Sequence, residues 1–255
     1  MTDNHMLHPM QTIETACRRE VSGQAAWLLL PLAQPGAELR LSGAWGKAQW
    51  QLPPGWQGLL LLEHVRVTVV SGCLSFHAVQ LETLAKLLAF IDEARALPTV
   101  NPDARCERLF LEDLSIWSDR RRLEYWFLGQ LLSREQTVAP LLAQLRRNES
   151  YWLVRFLLSH SARGDKLQAL GDRYGVSTSH FRRLCRHALG NAAKASLRDW
   201  RAARCMLDVV GGEENLTRLA LKHGYASPAH FSNEVKGLLG VSPRGLSNLI
   251  QLAVK

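Results

Sequence analysis

Two short stretches near the C-terminal end carry polar side chains at helical spacing that suit contacts with DNA bases. The first places one serine and three arginines on a single helix face, at Ser179, Arg182, Arg183 and Arg186. The second places smaller polar side chains there, at Ala229, Ser232, Asn233 and Lys236. Arginine forks pair with guanine edges, asparagine pairs with adenine, and small side chains allow close approach to thymine methyls. A solvated polar face is the ordinary interpretation of a lone helix, but the repetition favours DNA binding.

The opposite face of each stretch is apolar, as a helix packed on a core requires. We expect inward positions in the first stretch at Phe181, Leu184, Cys185 and Ala188, and in the second at Phe231, Val235 and Leu238. Glu234 departs from this pattern because it stands where Leu184 stands in the first stretch. We therefore expect that position to be only partly buried.

Both stretches belong to one unit that occurs twice, over residues 167–190 and again over 216–240. Leucines, a glycine and a His-Phe pair recur at matching positions, and such a repeat is evidence at the level of the fold. The small residues Gly171 and Ala220 also match, and each would let a second helix cross closely.

The local signals within each unit predict a helix, a turn and a second helix. Gly175 and Gly224 suit the left-handed conformation found just past a helix end. Ser177 and Ser227 are suitable N-caps for the next helix, and Pro228 occupies its first position. Each unit is therefore predicted to be a helix-turn-helix.

A single predicted helix over residues 192–210 connects the two units. At 1.5 Å per residue it would span roughly 28 Å, comparable to the 34–36 Å of one B-DNA turn. Such a helix could direct both units to one side of the duplex and, because the units differ, to a non-palindromic site. The Asp-Trp-Arg run at 199–201 is interpreted as a helix–helix anchor.

The last 105 or so residues resemble the AraC/XylS family of transcription factors, whose DNA-binding domain has two helix-turn-helix units joined by a long helix. The matching segments are GYASPAHFS at 224–232 and GVSP at 240–243. Residues 179–186, 197–201 and 246–252 look most like the InvF/MxiE branch, which activates virulence-associated type III secretion genes. The resemblance implies a DNA-binding domain over 148–255 and a cupin-like β-domain before it.

The net charge of +8 is concentrated in this region. Residues 151–255 contain 16 Lys and Arg against 7 Asp and Glu, whereas residues 1–150 contain 15 against 16. An excess of positive charge in one half of the chain is expected where that half binds a polyanion.

Other patterns argue against secretion, membrane insertion and catalysis. The five cysteines are scattered without metal-ligand spacing, which is typical of a reduced, cytoplasmic protein. Neither a signal peptide nor a membrane-spanning apolar run is recognisable. Nucleotide-binding, nucleophile and zinc-protease motifs are also missing, so we predict neither enzyme activity nor a cofactor or metal.

The N-terminal half is predicted to be β-rich, which makes the whole chain α+β. Residues 1–20 are polar and expected to be loosely ordered, and 21–147 form the predicted regulatory or oligomerisation domain. Short apolar runs between turn signals predict strands at 26–30, 38–41, 48–52, 58–62, 65–70 and 74–79. Apolar periodicity then predicts helices at 81–97, 105–117, 119–132, 138–147 and 151–161.

Leu123, Trp126 and Leu131 in one of these helices have two interpretations. They could cover the core of the β-domain, or they could form the contact of a homodimer.

Three function classes follow: a sequence-specific activator, a ligand sensor, and a regulator switched by another protein. A small-molecule site in the β-domain would draw on its few charged groups, at Glu38, Arg40, Glu63, His64 and Arg66. The branch resemblance instead implies switching by a type III secretion chaperone of the SicA/IpgC kind. Promoter DNA and RNA polymerase are the other partners that it implies.

Overall fold

The computed structural model describes residues 6–97, 106–133, 136–160, 166–211 and 215–245. The chain divides into two compact units, residues 1–152 and 153–255, so the division falls five residues after the predicted boundary at 147. Strands lie in the first unit and helices fill the second, which confirms the predicted α+β class. Residues 246–252, which contribute to the family resemblance, lie outside the described part.

The first unit contains an antiparallel sheet with the strand order β1-β6-β2-β5-β3-β4, in which β7 pairs with β5. The strands are β1 (Leu7–Ile13), β2 (Arg18–Leu29), β3 (Ala37–Gly43), β4 (Gly46–Leu52), β5 (Gly58–Ser71), β6 (Leu74–Val79) and β7 (Glu107–Phe110). Strand β5 joins two predicted strands into one, because the backbone continues through His64 at a positive φ of 43°. The register of β2 against β5 shifts opposite this point, between Val21 and Gln24.

Two predictions for the first unit are wrong. Residues 7–13 form β1 on the edge of the sheet and Arg18 begins β2, so much of the described part of the stretch 1–20 is ordered by main-chain pairing; residues 1–5 lie outside the described part. Residues 107–110 are a strand rather than a helix, because Leu109 pairs with Leu59 of β5. The rest of the predicted helix 105–117 holds only a short 3-10 turn at Ser115–Ser118; residue 105 lies outside the described part.

Apolar side chains of the strands form a core cluster in the sheet unit. Its fully buried members include Leu29, Leu39, Leu41, Leu60, Leu62, Val67, Val69, Leu74 and Phe76. Trp27 stacks on Phe76 with ring centroids 4.4 Å apart. Alternating apolar residues from several strands thus form one core, and Leu59 and Leu61 on the opposite face of β5 are buried as well.

Helix α1 (Glu82–Ala94) lies between β6 and β7 in the chain. Three helices follow β7: α2 (Arg120–Ser133), α3 (Ala139–Arg147) and α4 (Glu149–His160). The buried carboxylate of Asp92 in α1 accepts hydrogen bonds from Arg146 at 2.8 Å and from the Tyr151 hydroxyl at 2.8 Å. Arg147 pairs with Glu63 of β5 at 2.7 Å. These bonds join α1, α3 and the first turn of α4, and attach α3 to the sheet.

Helix α2 buries Leu123 and Leu131, while Trp126 is half-buried with its ring 6.4 Å from Trp117. Leu123 and Leu131 are thus buried in the single chain, and Trp126 contacts Trp117. Tyr125 and Leu132 on the same helix are 74% and 76% exposed.

The second unit consists of helices at the predicted places. They are α5 (Leu167–Tyr174), α6 (Thr178–Leu189), α7 (Ala193–Gly211), α8 (Leu216–Lys222) and α9 (Pro228–Leu239). Helices α5 and α6 form one pair, α8 and α9 form the other, and α7 connects them.

Candidate nucleic-acid interface

Both helix pairs are held by the caps and turns that the sequence predicts. The Ser177 hydroxyl accepts a hydrogen bond from the His180 amide at 3.3 Å, and the Ser227 hydroxyl accepts one from the His230 amide at 3.1 Å. The turn glycines Gly175 and Gly224 have φ angles of +83° and +75°. Because a side chain is strained in that conformation, the turns account for both glycines. The two predicted helix-turn-helix units are confirmed.

Helix α6 crosses α5 closely at Gly171. A Cβ added there would lie 3.3 Å from the Cβ of Phe181, so even alanine would be tight at this crossing. Phe181 is fully buried, with ring centroids 6.3 Å from Phe156 and 5.7 Å from Tyr174. This aromatic cluster fixes α6 against α4 and α5.

The orientation of α6 leaves its polar residues exposed. Ser179, Arg182, Arg183 and Arg186 all face solvent, while Cys185 and Ala188 are buried and Leu184 is half-buried. Burial raises the pKa of the Cys185 thiol to about 11, so this cysteine stays protonated and acts as a small apolar side chain. We call the four exposed residues the first reading face.

Helix α9 presents a second, less basic face. Ala229, Asn233 and Lys236 are exposed and Ser232 is half-buried; together these four residues are the second reading face. Phe231 and Val235 are fully buried, as predicted, but Leu238 is 38% exposed and its predicted inward position is wrong. The core cluster around α9 ends at Val235, one turn before Leu238.

Glu234 is partly buried, as predicted, because it belongs to a polar cluster. It accepts a hydrogen bond from the Tyr225 hydroxyl at 2.7 Å, and its other oxygen lies 3.9 Å from Nη2 of Arg201 in α7. Burial, together with this hydrogen bond to a carboxylate, raises the pKa of Tyr225 well above its usual range, so the hydroxyl remains a donor. The predicted anchor role of 199–201 is thus borne out for Arg201. Sequence inspection did not find its partner Tyr225.

Helix α7 has further polar bonds to its neighbours. Nη2 of Arg204 donates to the Leu158 carbonyl of α4 at 2.5 Å. Asp208 accepts bonds from His223 at 2.9 Å and from Lys222 at 3.0 Å. The hydrogen bond from His223, and to a smaller extent that from Lys222, holds the pKa of Asp208 below its usual range. The connecting helix is therefore fixed to α4 and to the second helix-turn-helix unit and is not a loose linker.

The charged groups considered for a small-molecule site do not converge in the sheet interior. Glu63 is paired with Arg147, Glu38 accepts a bond from Gln49, and Arg40 is exposed on β3. His64 and Arg66 line an open surface cleft instead. Within the described residues, no group of three or more His, Cys, Asp or Glu is arranged to hold a metal ion. None of the described helices is long and apolar enough to span a membrane.

Two capped units sharing one fixed helix define the class of protein: a regulator with a double helix-turn-helix DNA-binding domain. A family model described as a helix-turn-helix domain matches residues 170–248. The chain is 51% identical over 198 residues to invasion protein InvF of Salmonella typhimurium, covering 77% of this chain and 92% of that protein. It is 38% identical over 180 residues to transcriptional regulator MxiE of Shigella flexneri, covering 69% and 86%. The chain therefore belongs to the AraC/XylS family of transcriptional regulators, in its InvF/MxiE branch.

Two solved structures are similar to the chain at lower identity. ToxT from Vibrio cholerae is 13% identical over 97% of both chains, with a TM-score of 0.37. The C-terminal domain of AraT from Geobacillus stearothermophilus is 21% identical over 39% of this chain and 84% of that chain, also with a TM-score of 0.37.

Proposed function

We propose that the chain is a sequence-specific activator that binds promoters of type III secretion and effector genes. The observation that carries this proposal is the exposure of two different polar faces on two matched, capped helices. The 51% identity to a protein named for invasion supports the choice of target genes. Acting on promoters requires the bacterial cytoplasm, where the chromosome and RNA polymerase lie.

The two faces would have different roles on the DNA. Three exposed arginines on α6 can form bidentate bonds with guanine, so the first reading face supplies base recognition and much of the affinity. The second reading face has one asparagine for adenine and one lysine for a phosphate, together with the small side chains of Ala229 and Ser232. It therefore contributes mainly positioning, with Asn233 as its base contact.

The activating signal is proposed to be a protein, a type III secretion chaperone of the SicA/IpgC kind. The branch to which the chain belongs suggests this partner, and the filled sheet interior in the described residues supports it over a ligand held inside the sheet. A small-molecule sensor remains the alternative. Thermal-shift measurements on the full chain with purified chaperone, and separately with sugars, distinguish the two. A shift with sugars alone would favour the alternative.

We also propose a homodimer, in which a second copy of the chain is the partner. Leu123 and Leu131 are not available for it, because both are buried in the single chain. A dimer contact through α2 would have to use its exposed residues, such as Tyr125 and Leu132. Light scattering on the wild-type chain and on Leu132→Glu tests this arrangement; a dimer that persists in the variant would place the contact elsewhere.

Footprinting on secretion-gene promoters, with and without the chaperone, tests the function as a whole. We expect protection of a non-palindromic site that spans neighbouring major grooves, together with stronger transcription when the chaperone is present. Uniform protection of unrelated DNA at low salt would contradict sequence-specific activation.

A further inference from the structure

The polar cluster of Arg201, Tyr225 and Glu234 is built unlike the rest of the helical core. The Glu234 side chain is 10% exposed and that of Arg201 is 18% exposed, so two charged groups are largely removed from water. The Arg201 guanidinium lies over the Tyr225 ring, 4.7 Å from its centroid. Through these contacts one cluster joins α7, the turn after α8, and α9.

Closing a helix-turn-helix core does not require such a cluster. In the first unit Val176 and Leu184 stand at the positions of Tyr225 and Glu234. The amides of Val176 and Tyr225 make the same backbone bond, to the carbonyls of Gly171 and Ala220. Burying charges costs solvation, and apolar residues of similar size often stabilise a core equally well. Moreover, Nε of Arg201 finds no hydrogen-bond acceptor among the described residues.

The polar cluster restricts the rotation of α9 about its own axis. Apolar contacts let a helix rotate slightly about its axis, whereas hydrogen bonds fix specific atoms. Glu234 lies on α9 directly after Asn233 and one turn after His230, whose Nε2 is 3.9 Å from the Glu234 carboxylate. A rotation of α9 would therefore displace the second reading face.

We infer that Glu234, held by Tyr225 and Arg201, is a positioning residue that fixes the second reading helix against α7. This inference rests on the proposed function, because it assigns the cluster a role in base recognition at the half-site of α9. It predicts that the cluster can be replaced without loss of folding but with loss of recognition at that half-site.

The test uses the full chain and duplexes selected from a random pool by the wild type. Single-base variants of the selected duplex are then measured, and the base pairs affected by Asn233→Ala mark the α9 half-site. The double variant Arg201→Met with Glu234→Leu gives the second unit an apolar pair in place of the charged one. We expect a melting temperature close to the wild type and a roughly fivefold loss of base discrimination confined to that half-site.

Tyr225→Phe is the milder variant, since it removes only the hydroxyl. We expect it to relax discrimination at the same base pairs. If the double variant does not fold, Tyr225→Phe alone tests the inference. Leu184→Met at the matched position of α6 is the control and should leave those base pairs unaffected. Folded variants that discriminate like the wild type at every position would overturn the inference. If the wild type itself selects no sequence, the proposed function fails instead.

Discussion

The two helix-turn-helix units share one scaffold but carry different surfaces. In both, a serine caps the second helix, a glycine with positive φ makes the turn, and a phenylalanine is fully buried. The exposed faces differ, with three arginines on α6 against one lysine and one asparagine on α9. The residues that close the fold have thus been kept separate from those that would contact bases.

This separation has a consequence for the DNA site. Two identical faces would favour a repeated half-site, whereas these two favour two different half-sites in a fixed order. Because α7 is bonded to α4, α8 and α9, the order and spacing would be set within one chain. Such an arrangement would specify the direction in which the chain binds its site.

The largest expected effect tests whether the two scaffolds are equivalent. Phe181→Ala and Phe231→Ala should each lower the free energy of unfolding by about 3–5 kcal/mol, because both rings are fully buried. Urea unfolding of the full chain, followed by helical circular dichroism, gives both values. Leu207→Ala, a change at a side chain that is 71% exposed, is the control and should stay within about 0.5 kcal/mol. A cost near zero at Phe231 alone would mean that the second core is not closed.

The next effect tests the first reading face. Arg183→Ala should cost about 1–3 kcal/mol of binding at one base pair and relax specificity there, because an exposed arginine on α6 can form a bidentate contact with guanine. Affinities for single-base variants of a footprinted promoter measure it. The matched control is Arg40→Ala on the exposed side of β3. Unchanged affinity at every base would remove Arg183 from the reading face.

Local signals predicted the helical unit well because its structure is decided locally. Caps, turn glycines and apolar periodicity lie within a few residues of one another, so the bounds of α6 and α9 follow from Ser177, Gly190, Ser227 and Gly240. The two reading faces were predicted in the same way, and the structure leaves seven of their eight residues exposed and Ser232 half-buried.

The incorrect predictions concern segments whose structure depends on a partner that is distant in the sequence. Strand β1 has a weak apolar pattern and is ordered by pairing with β6, more than sixty residues later. Strand β7 is likewise defined by β5, and its residues fell within the predicted helix 105–117 although buried Leu109 and exposed Phe110 alternate like strand residues. The contact of Arg201 with Tyr225 joins two elements across the fold, so no local spacing could indicate it.

The smallest effect concerns the second reading face and tests its proposed positioning role. Lys236 is exposed in the last turn of α9, where a lysine can meet a phosphate but carries no base information. Lys236→Ala should therefore weaken binding to all duplexes alike and lower the slope of log affinity against log salt by about one unit. Lys47→Ala on the exposed part of β4 is the matched control. A variant with the wild-type slope but altered base preference would make Lys236 a base contact, and the second unit would then read sequence as directly as the first.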